Sequence, residues 1–254
     1  MADRLDGTVA LITGASSGIG AATARVLAAQ GASVALAARR KERLDDLAAE
    51  IVAQGGRSLV IEADVTQQSE AEATVAQTVK ELGRLDILVN NAGVMLLGPI
   101  ENAPLEEWER MVHVNLLGVL YVAHAALPHL LKAAEDSSRR VADMVNISSV
   151  AGRVARNGSG VYNATKFGVV AFSESLRQEV TKRHLRVSVV EPGAVATELS
   201  SHMREEVRQQ SMQRFAEVER LKAEDIADAI NYIVTRPWYV AINEVLIRPT
   251  EQEG

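Results

Sequence analysis

Tyr162 and Lys166 lie four positions apart in "YNATK", in a stretch of mostly small residues that also carries Ser148 and Ser149. Positions four apart share one face of a helix, so both side chains can reach one site. A tyrosine hydroxyl, with a pKa near 10, is a poor proton donor and acceptor at neutral pH. An ammonium about 4 Å away, at an effective dielectric of about 20, favours the phenolate by about 4 kcal/mol before desolvation is subtracted. About 1.4 kcal/mol corresponds to one pKa unit. The spacing therefore predicts a tyrosine drawn toward neutrality, able to exchange a proton with a carbonyl or alcohol oxygen. Taken alone, the same pair is equally an exposed helix pair.

A second pattern lies near the N-terminus. The run "TGASSGIG", residues 13 to 20, follows a short apolar strand. Gly14, Gly18 and Gly20 let the backbone turn tightly into a helix beginning near Gly18, and leave room for a diphosphate against that helix's N-terminal amides. The spacing departs from GxGxxG, so a plain strand-to-helix turn stays open. The next strand ends "LAARRKERL", where an NAD-binding fold usually places an acid for the ribose 2′-hydroxyl. Here that place holds Ala38, followed by Arg39 and Arg40. These arginines read either as a solvated helix start or as a bidentate 2′-phosphate contact. The second reading favours NADP(H) over NAD(H).

Positioning such groups needs a scaffold, and the pattern along the chain supplies one. Strand candidates are "TVALIT", "SVALAA", "SLVIEA", "DILVNN", "VADMVNIS", "RVSVVEP" and "NEVLIRP", with amphipathic helical stretches between most of them. Seven strands alternating with helices imply right-handed crossovers and an α/β fold, a doubly wound Rossmann-type parallel sheet with helices on both faces. Residues 1–254 read as one domain, with a substrate-side segment at about 193–221. The polar stretch 132–140, "KAAEDSSRR", reads as a surface loop before the fifth strand.

Composition narrows the classes further. The net charge is −6, which disfavours nucleic acid and anionic membranes as partners. The absence of cysteine excludes disulfides and thiolate sites and allows a reducing compartment. The opening "MADRLDGTVALITG" lacks the pattern of a secretory signal, which fits a cytoplasmic protein. The apolar run 114–131 contains Asn115, His124, Pro128 and His129, and reads as a helix buried in protein rather than in lipid. The chain's five histidines, His113, His124, His129, His184 and His202, show no metal-ligand spacing, so no metal is expected and they read as surface or core residues. Trp108 and Trp238 read as packing or interface residues.

From about residue 6 to the C-terminus, the chain resembles the short-chain dehydrogenases/reductases. "TGASSGIG" resembles their coenzyme loop, "NNAG" at 90–93 the motif after the fourth strand, and "YNATK" the Tyr-x-x-x-Lys. Asn115, Ser149, Pro192-Gly193 and Thr197 complete an ordered set. The resemblance implies NADP(H) contacts at Gly14, Ser16, Ser17, Gly18, Ile19 and Gly20. It implies others at Arg39, Arg40, Asp64, Val65, Asn91, Ala92, Gly93, Tyr162, Lys166, Pro192, Gly193, Val195 and Thr197. Tyr162 would be the general acid in carbonyl reduction and Lys166 the holder of the nicotinamide ribose. Ser149, thirteen positions before Tyr162, would polarise the carbonyl, and Asn115 would open its helix and hold a water. Asp64 is either an adenine contact or a helix cap; Asn90 steadies the sheet. A homotetramer is implied, with a dimer next.

Within the family, "AGRVARNGSGVYNATKFGVVAFSESLRQEV" and "NEVLIRPT" are similar to clavulanic acid dehydrogenase-like and 3-hydroxy acid dehydrogenase-like members. This implies a small-molecule carbonyl or alcohol substrate, with Ser149, Met95 and Arg156 facing it. Arg156, rather than Arg153, is expected to pair with a substrate carboxylate, and a solvated surface arginine is the alternative. Asp143 departs from the family by standing where an apolar strand residue is usual. Three readings remain: a reductase of a small aldehyde or ketone, a 3-oxoacyl thioester reductase, and a catalytically silent NADP(H) sensor. The second would use Arg139, Arg140, Arg153 and Arg156 as a basic surface for an acidic carrier.

Overall fold

The computed structural model describes residues 4–214 and 218–253, so part of the substrate-side segment, 215–217, lies outside the described residues. Strands β1 (Val9–Thr13), β2 (Ser33–Ala38), β3 (Arg57–Glu62), β4 (Ile87–Asn90), β5 (Ala142–Ile147), β6 (Leu185–Pro192) and β7 (Glu244–Ile247) form one parallel sheet. Six match the runs that the sequence marks to within one residue at each end, and β7 stops two residues short of its run. Helices α1 (Gly18–Ala29), α2 (Lys41–Ala53) and α8 (Ala223–Val234) pack on one face. The other is covered by α3 (Gln68–Leu82), α5 (Gly118–Asp136) and α6 (Gly160–Val180). Two further helices, α4 (Leu105–Val112) and α7 (Glu205–Arg214), flank α5 and β6 in sequence.

Side-chain alternation along the strands divides the core. Ala10 and Ile12 of β1 and Val34 and Leu36 of β2 enter the first layer, while Leu11, Ala35 and Ala37 enter the second. Burial on both faces explains why the strands read as unbroken apolar runs. The sheet order is β3-β2-β1-β4-β5-β6-β7. The chain therefore builds outward from β1 to β3, then crosses back to lay β4 on β1's other side. Chain leaving the C-terminal ends of β1 and β4 diverges there and opens a crevice.

Two expectations change. The stretch 132–140 is not all loop, because α5 continues to Asp136 with Ala133 and Ala134 buried one turn beyond Leu130. Asp64 does not cap a helix: α3 starts at Gln68 after Gln67, and Asp64 Oδ1 instead accepts from the Thr66 amide at 3.0 Å. The run 105–136 is long and apolar enough by composition to cross a membrane, yet Val122, Ala126 and Leu130 are buried in the second core layer. A five-residue π-helical turn, His113–Leu117, joins α4 to α5.

Asp143, unexpected in a strand, has a structural partner. It faces Arg186 in the β5–β6 register and receives two guanidinium bonds at 2.7 and 3.1 Å; both side chains are buried. Arg139 adds a third bond to Asp143 at 3.0 Å. Arg186 also donates to the carbonyls of Val234, Arg236, Pro237 and Val240, pinning the connection from α8 to β7. Removing one partner of a buried pair strands the other charge, which costs about 3–5 kcal/mol. Arg186→Met is expected to lower unfolding free energy by about 3 kcal/mol in urea. Arg183→Ala, which breaks a half-exposed pair with Glu135, should change it by about 0.5 kcal/mol or less.

Candidate active site

Six strand ends meet in one cleft of about 420 Å³. Its lining comes from the chain after β1 (Gly14 to Ile19), β2 (Ala38 to Arg40), β3 (Ala63 to Val65), β4 (Asn91 to Met95), β5 (Ser148 to Ala151) and β6 (Pro192 to His202). Every sequence-derived site residue except Gly20 and Asn115 lines this cleft, including Met95 and Arg156.

The seam between β1 and β4 sets the cleft's floor. Thr13 Oγ1 accepts from the amides of Asn91 and Ala92 at 3.0 and 3.1 Å, and Asn91 Nδ2 donates to the carbonyls of Thr13 and Gly14 at 3.0 and 3.3 Å. Gly14 has φ +67°, and a Cβ there would lie 2.8 Å from Ala92 Cα. Gly18, with φ +53°, opens α1 in a conformation that a side chain would strain. The glycines thus bring bare backbone and the N-terminus of α1 to the cleft, which fits a diphosphate. Ala38 leaves the end of β2 uncharged. Arg39 is exposed at the cleft, where its guanidinium can meet a 2′-phosphate. Arg40 holds the hydroxyls of Ser16 and Ser17 at 2.8 to 3.2 Å.

Asn90 bonds Asn146 of β5 at 2.9 Å, and Asn146 bonds Ser173 of α6 at 2.8 Å. This buried amide chain ties the sheet to the helix that carries Tyr162 and Lys166. The π turn aims Asn115 at the loop after β4, where its amide exchanges two 2.8 Å hydrogen bonds with the backbone of Val94. The side chain is thus a clamp on residues 93–95, a role its family likeness did not supply.

The two serines separate cleanly. Ser148 is buried and donates to the Lys166 carbonyl at 3.1 Å. Ser149 starts a 3-10 turn, Val150–Gly152, and its hydroxyl accepts from the Ala151 amide and meets Tyr162. Tyr162 and Lys166 are both buried, with Nζ 5.8 Å from the tyrosine ring centre. Here the electrostatic expectation reverses. Burial pushes the Tyr162 pKa up to about 12, and the Ser149 hydrogen bond opposes this only in part. Lys166 donates to the Ile147 carbonyl at 2.9 Å, and burial pulls its own pKa down to about 8. Desolvation decides both values, with Nζ held on the Ile147 carbonyl and the tyrosine keeping its proton.

Arg153 does not line the cleft. It grips the buried Glu191 of β6 at 2.7 and 2.8 Å and also Glu244 of β7. Arg139 and Arg140 lie at the opposite end of the sheet, on Asp143 and over the Trp238 ring at 4.2 Å, so a four-arginine carrier surface does not form. Trp238 also stacks on His184 at 5.6 Å, and Trp108 packs in the small cluster that includes Tyr162. His202, read from sequence as surface or core, lines the cleft, its pKa lowered by burial and by Arg110.

Sequence reasoning missed several lining residues. Asn163 holds the loop after β5 through the carbonyls of Ala151 and Val154; it stands inside "YNATK", next to the tyrosine. Gln252 accepts from the Ala194 amide at 2.8 Å, and Glu198 meets two arginines; neither sits in a pattern that could have marked it.

Residues 8–208 match the short chain dehydrogenase family. The chain is 38% identical over 247 residues to an uncharacterised oxidoreductase of Staphylococcus saprophyticus, covering 96% of each. It is 41% identical over 250 residues to glycine betaine reductase of Emericella nidulans, covering 98% of this chain and 19% of that one. In three dimensions it is similar to the closed form of a serine dehydrogenase complexed with NADP+, with a TM-score of 0.88, 32% identity and 97% of each chain covered. With the cleft built where the strand order reverses and the match running through most of its lining, the chain belongs to the short-chain dehydrogenase family and is an oxidoreductase.

Proposed function

We propose that this oxidoreductase reversibly reduces a small aldehyde or ketone to the alcohol with NADP(H), through Ser149, Tyr162, Lys166 and Asn115, in the cytoplasm. The observation that carries this reading is the buried Tyr162 phenol at the cleft, with its pKa up at about 12 and Ser149 on it. Such a phenol is fully protonated at neutral pH and is a loaded proton donor. Arg39 and the uncharged Ala38 place NADP(H) above NAD(H), as guanidinium and phosphate pair bidentately.

When bound, the reduced nicotinamide supplies the hydride. Ser149 donates a hydrogen bond to the substrate carbonyl oxygen and fixes its direction. Tyr162 gives its proton to that oxygen as negative charge develops there. Lys166, with Nζ 5.8 Å from the tyrosine ring centre and charged below about pH 8, stabilises the phenolate left behind. Asn115 holds the loop at Val94, so that Gly93 passes near Lys166; a Cβ on that glycine would lie 3.9 Å from Nζ. A buried and complete proton-transfer set has no use in a silent sensor.

The reductive rate, followed by NADPH absorbance from about pH 6 to 10, is expected to be flat to about pH 8 and to fall above it as Lys166 loses its charge. A tyrosine titrating near neutrality would instead bring the fall to about pH 7. Tyr162→Phe should lower turnover at least about 100-fold with NADPH affinity unchanged within about twofold. Retention of more than about a tenth of the activity would sink the assignment.

For the substrate, we infer a carboxylate-bearing carbonyl compound held by Arg156. Arg156 lines the cleft, and its backbone is anchored by Asn163, the neighbour of Tyr162. Serine and glycine betaine, named for two similar proteins, both carry a carboxylate. Arg156→Ala should raise KM about tenfold for a carboxylate-bearing aldehyde and about twofold or less for its methyl ester. Parallel losses on both would count against the pairing.

We also infer a homotetramer, with a dimer next. Leu105 at the start of α4 and Phe167 on α6 are 62% and 42% exposed, on the helices flanking the site. Light scattering at micromolar concentration should give a multiple of 27.3 kDa, and a monomeric mass would overturn it.

A further inference from the structure

Glu198 opens a 3-10 turn, Glu198–His202, on the substrate side of the cleft, one residue after Thr197. Its carboxylate reaches across the cleft's adenosine end to two arginines of the segment after β2. Arg40 Nη1 lies 2.8 Å from one oxygen and Arg43 Nη1 lies 2.6 Å from the other. The same Arg40 guanidinium holds the hydroxyls of Ser16 and Ser17 in the glycine loop. One cation thus joins three segments: the loop after β1, the start of α2 and the start of the substrate-side turn. Thr197 reinforces the junction, since a Cβ on Gly18 would lie 3.1 Å from its methyl group.

We propose that Glu198 is a built-in competitor of the adenosine 2′-phosphate: it occupies Arg40 until that phosphate displaces it, and the exchange unfastens the turn 198–202. This rests on the NADP(H) reading above and adds to it a residue that sets cofactor discrimination. The carboxyl pKa is held at about 2 by Arg43 and Arg40, so the competitor is charged throughout the working range. Glu198, Arg40 and Arg43 are each nearly half-exposed, and an exposed ion pair is held only weakly. A phosphate carries more charge and three acceptor oxygens, and wins Arg40 from a single carboxylate. Leu199, Ser200 and His202, which follow Glu198 directly, line the substrate side of the cleft. Loss of Arg40 leaves Glu198 on Arg43 alone, so the 2′-phosphate loosens the wall that meets substrate.

The test uses the full chain and two adenosine fragments, adenosine 2′,5′-bisphosphate and 5′-AMP, with calorimetry, and hydrogen exchange over residues 198–204. Glu198→Gln and Glu198→Ala are expected to bind the bisphosphate about fivefold tighter than the wild type, with 5′-AMP changed by about twofold or less, as removal of one nearby like charge requires. In the wild type, the bisphosphate should raise exchange in 198–204 and 5′-AMP should not. Unchanged or weaker bisphosphate binding in both variants, with the wild type still preferring it over 5′-AMP, overturns the competitor role alone. Equal wild-type affinity for the two fragments overturns the NADP(H) reading and the competitor with it. Exchange that does not respond to the bisphosphate overturns the coupling to the turn.

Discussion

Everything in the cleft hangs on the seam between β1 and β4. A sheet ordered β3-β2-β1-β4-β5-β6-β7 leaves its central strand ends facing away from each other, and only there can two loops part without uncovering core. The seam must stay closed below and open above. Thr13 and Asn91 achieve this with four hydrogen bonds that bind the strand ends while leaving the glycine backbone bare. With those strand ends fixed, α1 points its N-terminus into the crevice, and the loop after β4 meets Asn115 and Lys166. The remaining polar network extends this geometry outward through Asn90, Asn146 and Ser173 to α6.

Burial then determines the chemistry. The pair that spacing identifies is indeed on one helix face, but its protonation state follows from desolvation and not from mutual attraction. Tyr162 is a firmer acid store, and Lys166 a weaker cation, than the pair would be in water. This division suits reduction, where the proton must stay on the phenol until the carbonyl oxygen demands it.

The strands, the parallel sheet and the Tyr–Lys helix were legible because each depends on local pattern: unbroken apolar runs, their alternation with helical stretches and a four-residue spacing. What escaped depends on partners distant in sequence. Arg153 carries the same charge as Arg156 three positions on, yet one meets Glu191 and Glu244 of two strands and the other lines the cleft. Asp143 looked anomalous in a strand until Arg186, 43 positions later, supplied its counter-charge. Gln252 reaches the Ala194 amide from 58 positions away. The end of α5 was misplaced for a different reason: Lys132, Glu135 and Asp136 belong to the last turns of a helix whose inner face there is Ala133 and Ala134.

The π turn at His113–Leu117 shifts phase as well as shape. An ordinary helix advances about 100° per residue, so one extra residue in a turn rotates everything before it by about that angle relative to everything after. Trp108 and Met111, upstream, pack around Tyr162, while Val122 and Leu130, downstream, pack on the sheet. No single straight stripe serves both surfaces. Loss of one codon in this turn would yield a more regular helix with better backbone bonding, and would swing either the tyrosine's packing or the sheet's out of alignment. The irregular helix is therefore a frame shift in the geometric sense, retained because two neighbours read the same rod at different angles.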